Sequence, residues 1–160
     1  MQLPVDRIKK GIGMLVEAKS DSRDAGLDAA KAIMTTDTVH KQIAVKFQVG
    51  QETVTLGGMC KGSGMIHPNM CTMLAFLTTD ANISKEMLQK ALSRDVKDSF
   101  NMISVDGDTS TNDTLLILAN GLAQNSEIRE EGEDYEVFCQ ALRYVTTFLA
   151  RKMAGDGEGA

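Results

Sequence analysis

The stretch KQIAVKFQVGQETVTLGGM, residues 41–59, is the part of the sequence that decides the fold. Apolar residues in its first half alternate with polar or small ones: Ile43, Val45, Phe47 and Val49 against Gln42, Ala44, Lys46 and Gln48. A period of two is typical of a strand with one buried face. The pair Gly50-Gln51 reverses the chain and residues 53–56 resume the alternation. The stretch therefore predicts a β-hairpin.

Helical patterns lie on both sides of this hairpin. Apolar side chains recur at helical spacing before it and in the last part of the chain, and Ser84 is a predicted N-cap. The predicted helices cover residues 5–19, 22–34, a segment that starts after Ser84, and 135–153.

Short apolar runs predict the remaining strands. These runs lie at residues 72–79, 102–105 and 114–119, and the polar stretch 106–113 is predicted to be a hydrogen-bonded turn between the last two. The order of helices and strands predicts an α+β fold, a layered sandwich in which helices flank packed β-sheets.

Length and charge narrow the function classes. A chain of 160 residues is the size of one domain. The net charge of −5 and the scattered basic residues argue against a nucleic-acid partner. No apolar run approaches the roughly 20 residues needed to cross a bilayer, so no membrane partner is expected. The N-terminus lacks the apolar segment of a signal peptide, and three cysteines suit a reducing compartment, so a cytoplasmic location is expected.

Three ligand-binding motifs fail at a defining position. Cys60, His67 and Cys71 have spacings that match no common zinc site. The glycine-rich GGMCKGSG places Lys61 before its last glycines, whereas a phosphate loop needs lysine after them. DGDTSTND has Thr111 where a calcium loop needs glycine. We expect no metal site.

Thr72 is the remaining candidate for chemistry. A threonine hydroxyl is a weak nucleophile unless a base lies beside it, and a threonine at a chain terminus can use its own α-amine as that base. Thr72 would acquire this amine only if the chain were cut after Cys71. The residue pattern alone leaves open whether Thr72 is catalytic or structural.

Five sequence blocks carry a family resemblance. They are QLPVDRIKKGI at 2–12, AIMTTDT at 32–38, KGSGMIHPNMCTMLAFLTTDA at 61–81, SFNMISVDGDTSTNDTLLILANG at 99–121 and DGEGA at 156–160. In this order they resemble the ornithine acetyltransferase family, the bifunctional glutamate N-acetyltransferases and amino-acid acetyltransferases of arginine biosynthesis.

The resemblance implies a precursor of the N-terminal-threonine-nucleophile type that cuts itself between Cys71 and Thr72. Residues 1–71 would be the end of an α chain and residues 72–160 the start of a β chain, and the two would stay associated in an oligomer. Thr72 would then carry the acetyl group of N-acetylornithine to glutamate in a ping-pong reaction. No cofactor is implied, and acetyl-CoA stays open as an acetyl donor.

The family's substrate contacts fall on four residues of this chain: Thr35, Lys61, Thr72 and Glu158. A lysine pairs with a substrate carboxylate and a glutamate with a substrate amine, and the substrates carry both groups. The resemblance therefore implies that Lys61 binds a substrate carboxylate and that Glu158 binds a substrate α-amine.

Two departures from the family pattern keep alternatives open. The family usually has alanine where this chain has Cys71, so Cys71 as the nucleophile is a formal alternative. Family members are also longer, and their oxyanion hole and further substrate contacts lie in segments outside this chain. Because one oxyanion-hole donor is worth about 10²–10³ in rate, the isolated chain is expected to be weak or inactive. A noncatalytic structural fragment and an aminopeptidase-like amide hydrolase are the competing interpretations.

Overall fold

A four-stranded mixed sheet is the centre of the fold. The computed structural model describes residues 2–64, 73–104 and 112–157. The strands lie across the sheet in chain order: β1 (Lys41–Val49), β2 (Glu52–Lys61), β3 (Leu74–Thr79) and β4 (Thr114–Ala119). β1 with β2 and β2 with β3 are antiparallel, whereas β3 and β4 are parallel. The predicted hairpin is confirmed, and Gly50 in its turn has a φ of 58°, which glycine adopts without steric cost.

All four predicted helices are confirmed. They are α1 (Val5–Ala18), α2 (Arg23–Ala32), α3 (Lys85–Asp95) and α4 (Glu133–Ala154). Ser84 caps α3 as predicted, because its hydroxyl accepts a hydrogen bond from the backbone N–H of Met87 at 3.3 Å. α2 ends at Ala32, earlier than predicted. Within the described residues, no helix is both long and apolar enough to cross a membrane.

The core lies between α4 and one face of the sheet. Val145 and Leu149 of α4 are fully buried, and they face Gly58 of β2. A Cβ atom on Gly58 would lie 2.3 Å from Leu77 Cδ2 and 3.1 Å from Leu149 Cδ1. Gly58 therefore allows α4 to approach the middle of the sheet.

We expect a Gly58→Ala substitution to lower the free energy of unfolding by about 1–3 kcal/mol, because the added methyl group overpacks the core. Gly57→Ala is the matched control, since a Cβ atom there would meet its nearest neighbour, Ala44 Cβ, at an ordinary 3.7 Å. Urea denaturation measures both variants. Equal midpoints for the two variants would contradict this account of the α4 packing.

The predicted strand at 102–105 is wrong in the residues that the structure describes. Phe100–Met102 form a 3₁₀ turn, and the N–H of Ile103 donates to the carbonyl of Phe100 at 3.1 Å. Of the apolar residues Met102 and Ile103 in the predicted strand, only Ile103 is buried, from a turn that follows α3, whereas Met102 is 72% exposed. β4 pairs with β3. Most of the predicted turn at 106–113 lies outside the described residues.

Candidate active site

Segments that are far apart in the sequence meet at one end of the sheet, which we call the site end. The loop of residues 35–38 leads into β1, which begins at Lys41. β2 ends there at Lys61, which pairs in register with Leu74, the first residue of β3. The turn after α4 reaches the same end through Asp156, which contacts Lys41. Residues of the family blocks 32–38, 61–81 and 156–160 are thus brought together at this end.

A buried ion triad holds these segments. The ammonium group of Lys41 lies 2.7 Å from Asp37 Oδ1 and 2.5 Å from Asp156 Oδ2. The Lys41 side chain is fully buried, and so is that of Asp37. A buried ammonium group is tolerated only when it is paired and hydrogen-bonded, and here two carboxylates and the Val39 carbonyl meet that need.

The triad keeps all three of its groups charged. Burial alone would raise the pKa of Asp37, but hydrogen bonds from the Gly62 N–H, Lys41 and the Thr35 N–H outweigh it and hold that pKa below its ordinary value. Burial is likewise outweighed at Asp156, whose pKa is lowered by Lys41 and Thr38. The pKa of Lys41 is raised because its two carboxylates outweigh desolvation.

The triad also orders the loops around it. Asp37 accepts hydrogen bonds from the N–H of Gly62 at 2.7 Å and of Thr35 at 3.2 Å. The hydroxyls of Thr36 and Ser63 lie 2.7 Å apart and share a hydrogen bond. The loop before β1 is therefore bonded both to its own Asp37 and to the glycine-rich segment after β2.

The same arrangement places the ammonium group of Lys61 beside Thr35. Lys61 Nζ donates to Thr35 Oγ1 at 3.3 Å, and Lys61 is only 8% exposed. Among residues 2–64, 73–104 and 112–157, no carboxylate lies within ion-pair distance of this ammonium group. Because the Thr35 oxygen accepts from Lys61, its O–H remains a donor. A cation and a hydroxyl donor side by side are groups that can bind a carboxylate.

Comparison with known proteins identifies the family. The family model described as the ArgJ family matches residues 1–160, the whole chain. The chain belongs to the ArgJ family. The resemblance predicted from the five sequence blocks is confirmed by this match.

Several relatives from the ArgJ family are similar over nearly the whole chain. Proteins named "Arginine biosynthesis bifunctional protein ArgJ" are 52% identical over 99% of this chain in Caldanaerobacter subterraneus subsp. tengcongensis and 51% identical over 100% in Lactococcus lactis subsp. lactis. "Arginine biosynthesis bifunctional protein ArgJ 1" of Clostridium acetobutylicum is 54% identical over 99%. The chain spans only 38–39% of the length of these curated relatives.

A solved ArgJ structure is also similar. The crystal structure of arginine biosynthesis bifunctional protein argJ from Bacillus halodurans is 48% identical, and the match covers 52% of this chain and 38% of that chain with a TM-score of 0.49.

The predicted ArgJ site residues fall into two groups. Thr35 and Lys61 lie in the described part of the chain and are in hydrogen-bond contact. Thr72 and Glu158, the other predicted substrate contacts, lie outside the described residues, and so does Cys71. The roles of all five stay predictions.

The sequence interpretation missed the buried ion triad. The sequence contained one signal for it. In a strand, Lys41 lies on the same face as Ile43 and Val45, so its side chain points to the buried face. A lysine on the buried face of a strand indicates a buried partner of opposite charge. Asp37 and Asp156 lie within the matched family blocks, but no local pattern pairs them with Lys41.

Proposed function

We propose that this chain is the central part of an acetyltransferase precursor that cuts itself between Cys71 and Thr72 and then moves acetyl groups from N-acetylornithine to glutamate. The contact between Lys61 and Thr35 at the site end carries the proposal, since a cation beside a hydroxyl donor is suited to bind a substrate carboxylate, and Lys61 pairs with Leu74, two residues after Thr72 in the chain. The relatives are named as proteins of arginine biosynthesis, which supports this substrate class.

Self-cleavage is proposed to proceed through an ester. The Thr72 hydroxyl adds to the carbonyl carbon of Cys71, and the peptide C–N bond breaks. The residue 71 acyl group is then esterified to Thr72 Oγ, and the former amide nitrogen becomes a free α-amine. Water hydrolyses the ester, which leaves a carboxylate on Cys71 and restores the hydroxyl.

Acetyl transfer is proposed to use the same hydroxyl twice. The new α-amine of Thr72 takes the hydroxyl proton as the oxygen attacks the acetyl carbonyl of N-acetylornithine, and ornithine leaves with a proton. The amine of glutamate then attacks the acetyl ester of Thr72 and leaves as N-acetylglutamate. No cofactor takes part in this scheme, although acetyl-CoA could replace N-acetylornithine as the donor.

Substrate recognition is proposed to divide between two charges. Lys61, with Thr35 beside it, binds a substrate carboxylate through charge-assisted hydrogen bonds. Glu158 binds a substrate ammonium group, and it follows Asp156 of the triad by two residues in the chain. Both amino-acid substrates carry a carboxylate, so one receptor serves both halves of the ping-pong reaction.

The exposed second face of the sheet supports the layered fold as part of this proposal. Leu116 is 42% exposed and Leu118 is 57% exposed on the face opposite α4. The apolar residues of α1 are also exposed, with Leu15 at 72%. We propose that a second sheet from the rest of the precursor covers this face. A structure of the complete precursor in which both leucines remained open to solvent would contradict that packing.

Intact mass and an acetyl-transfer assay test the function. We expect the purified chain to yield two pieces, residues 1–71 and 72–160, that elute together. The complete precursor is expected to form N-acetylglutamate from N-acetylornithine and glutamate. A chain that stays whole after long incubation would favour the noncatalytic fragment. Release of free acetate without transfer would favour the amide hydrolase.

A further inference from the structure

Met73, the first described residue after Thr72, is held by hydrogen bonds on both sides of its backbone. Its N–H donates to Asp113 Oδ1 at 3.0 Å, and its carbonyl accepts from the Thr114 N–H at 3.2 Å. The Met73 nitrogen is the amide nitrogen bonded to the carbonyl carbon of Thr72. The carboxylate of Asp113 therefore binds the peptide link on the C-terminal side of the predicted nucleophile.

Asp113 reaches this position because β3 and β4 run parallel. Leu74 and Thr114 are paired at the starts of these strands, so the residues just before them, Met73 and Asp113, lie side by side. Leu74 also pairs with Lys61 of β2. Asp113 thus lies at the site end. Burial raises the pKa of its carboxyl group, and the hydrogen bond from the Met73 N–H and the positive charge of Lys61 only partly offset that rise.

We propose that Asp113 is a positioning residue that holds Thr72 for self-cleavage and for acetyl transfer. This inference rests on the proposed function of Thr72. Cleavage removes the covalent link between residues 71 and 72, so the link to Met73 becomes the only backbone bond that holds the new terminus. A hydrogen bond to a carboxylate is stronger than one to a neutral acceptor. Such a bond is suited to hold the backbone next to Thr72 after the peptide bond to Cys71 is cut.

Position matters for this chemistry because the hydroxyl must approach a carbonyl carbon closely and at the right angle. A displacement of about 1 Å can cost about 10²-fold in rate. We therefore expect Asp113→Ala, which removes the acceptor, to slow self-cleavage by about 10- to 100-fold. Asp113→Asn keeps an oxygen that can accept from Met73, so it should restore the cleavage rate to within about threefold of wild type.

The chain offers a matched control at the opposite end of the sheet. Asp80 follows the last residue of β3, and its Oδ1 accepts the N–H of Thr55 at 2.6 Å in a similarly half-buried setting. Asp80→Ala removes the same kind of bond from the same sheet. We expect it to change stability about as much as Asp113→Ala while cleavage continues at the wild-type rate.

The experiment follows intact mass over time for wild type and the three variants, with thermal unfolding to confirm that each is folded. In the cleaved fraction of the complete precursor, Asp113→Ala should lower kcat for acetyl transfer and leave KM for glutamate unchanged. A wild-type chain that does not cleave would refute the proposed function and this inference with it. If wild type cleaves, two results would refute the inference alone. One is an equal cleavage rate for Asp113→Ala and Asp80→Ala, and the other is an Asp113→Asn variant that cleaves as slowly as Asp113→Ala.

Discussion

Replacing Lys41 with methionine is expected to lower the free energy of unfolding by about 3–5 kcal/mol, because it leaves two buried carboxylates without their shared cation. Methionine fills much of the lysine volume, so the lost stability comes mainly from the missing charge and less from altered packing. Urea denaturation at neutral pH measures the effect. Lys46→Met is the control, since Lys46 is exposed on the same strand and should change stability by less than about 0.5 kcal/mol.

The pH dependence of this difference supplies an independent readout. The pKa values of Asp37 and Asp156 are lowered from 3.8, so their contribution is complete above pH 3.8 and is lost as pH falls through the lower folded values. The pKa of Lys41 is raised from 10.5, so its contribution is complete below that pH and is lost as pH rises further. The gap between wild type and Lys41→Met should therefore be largest between these limits. A gap that does not change with pH would show that the lost stability is not electrostatic.

Replacing Thr72 with alanine is expected to abolish both self-cleavage and acetyl transfer. The substitution removes the hydroxyl that acts as nucleophile in both proposed steps, and no ester can form at residue 72. Intact mass should show one piece of 160 residues for the variant, against pieces of 1–71 and 72–160 for wild type. The complete precursor with this substitution should form no N-acetylglutamate above the uncatalysed rate.

Two controls separate this prediction from its alternatives. Thr72→Ser keeps a hydroxyl and should still cleave. Cys71→Ala removes the competing thiol and replaces it with the residue that the family usually has, so it should cleave as well. Cleavage by Thr72→Ala together with an intact Cys71→Ala chain would identify Cys71 as the nucleophile.

Most of the secondary structure was predictable because it depends on local patterns. The alternation in residues 41–49 and the serine cap of α3 are short-range signals, and the structure has both elements. The strand predicted at 102–105 failed because Ile103 is buried by a turn as well as it would be by a strand, while its apolar neighbour Met102 stays exposed. The parallel pairing of β3 with β4 depends on a crossover that no local pattern specifies.

The candidate site was predictable only where a family motif covers it. Thr35 and Lys61 were predicted from matched blocks, and the structure brings them into contact across 26 positions of the chain. Asp113 lies in a matched block too, but its bond to the Met73 N–H depends on strand register. A contact that depends on strand register has no signature in the sequence around the residue.

The sequence by itself determined the family, the helices and the hairpin, because these follow from ordered motifs and from periods of two or 3.6 residues. Only the tertiary structure decided that Lys41 lies between Asp37 and Asp156, the second of them 115 positions away. The physical reason is the cost of burying charge. An ammonium group on the buried face of a strand is tolerated only when carboxylates lie next to it. Which carboxylates lie there depends on how the whole chain packs.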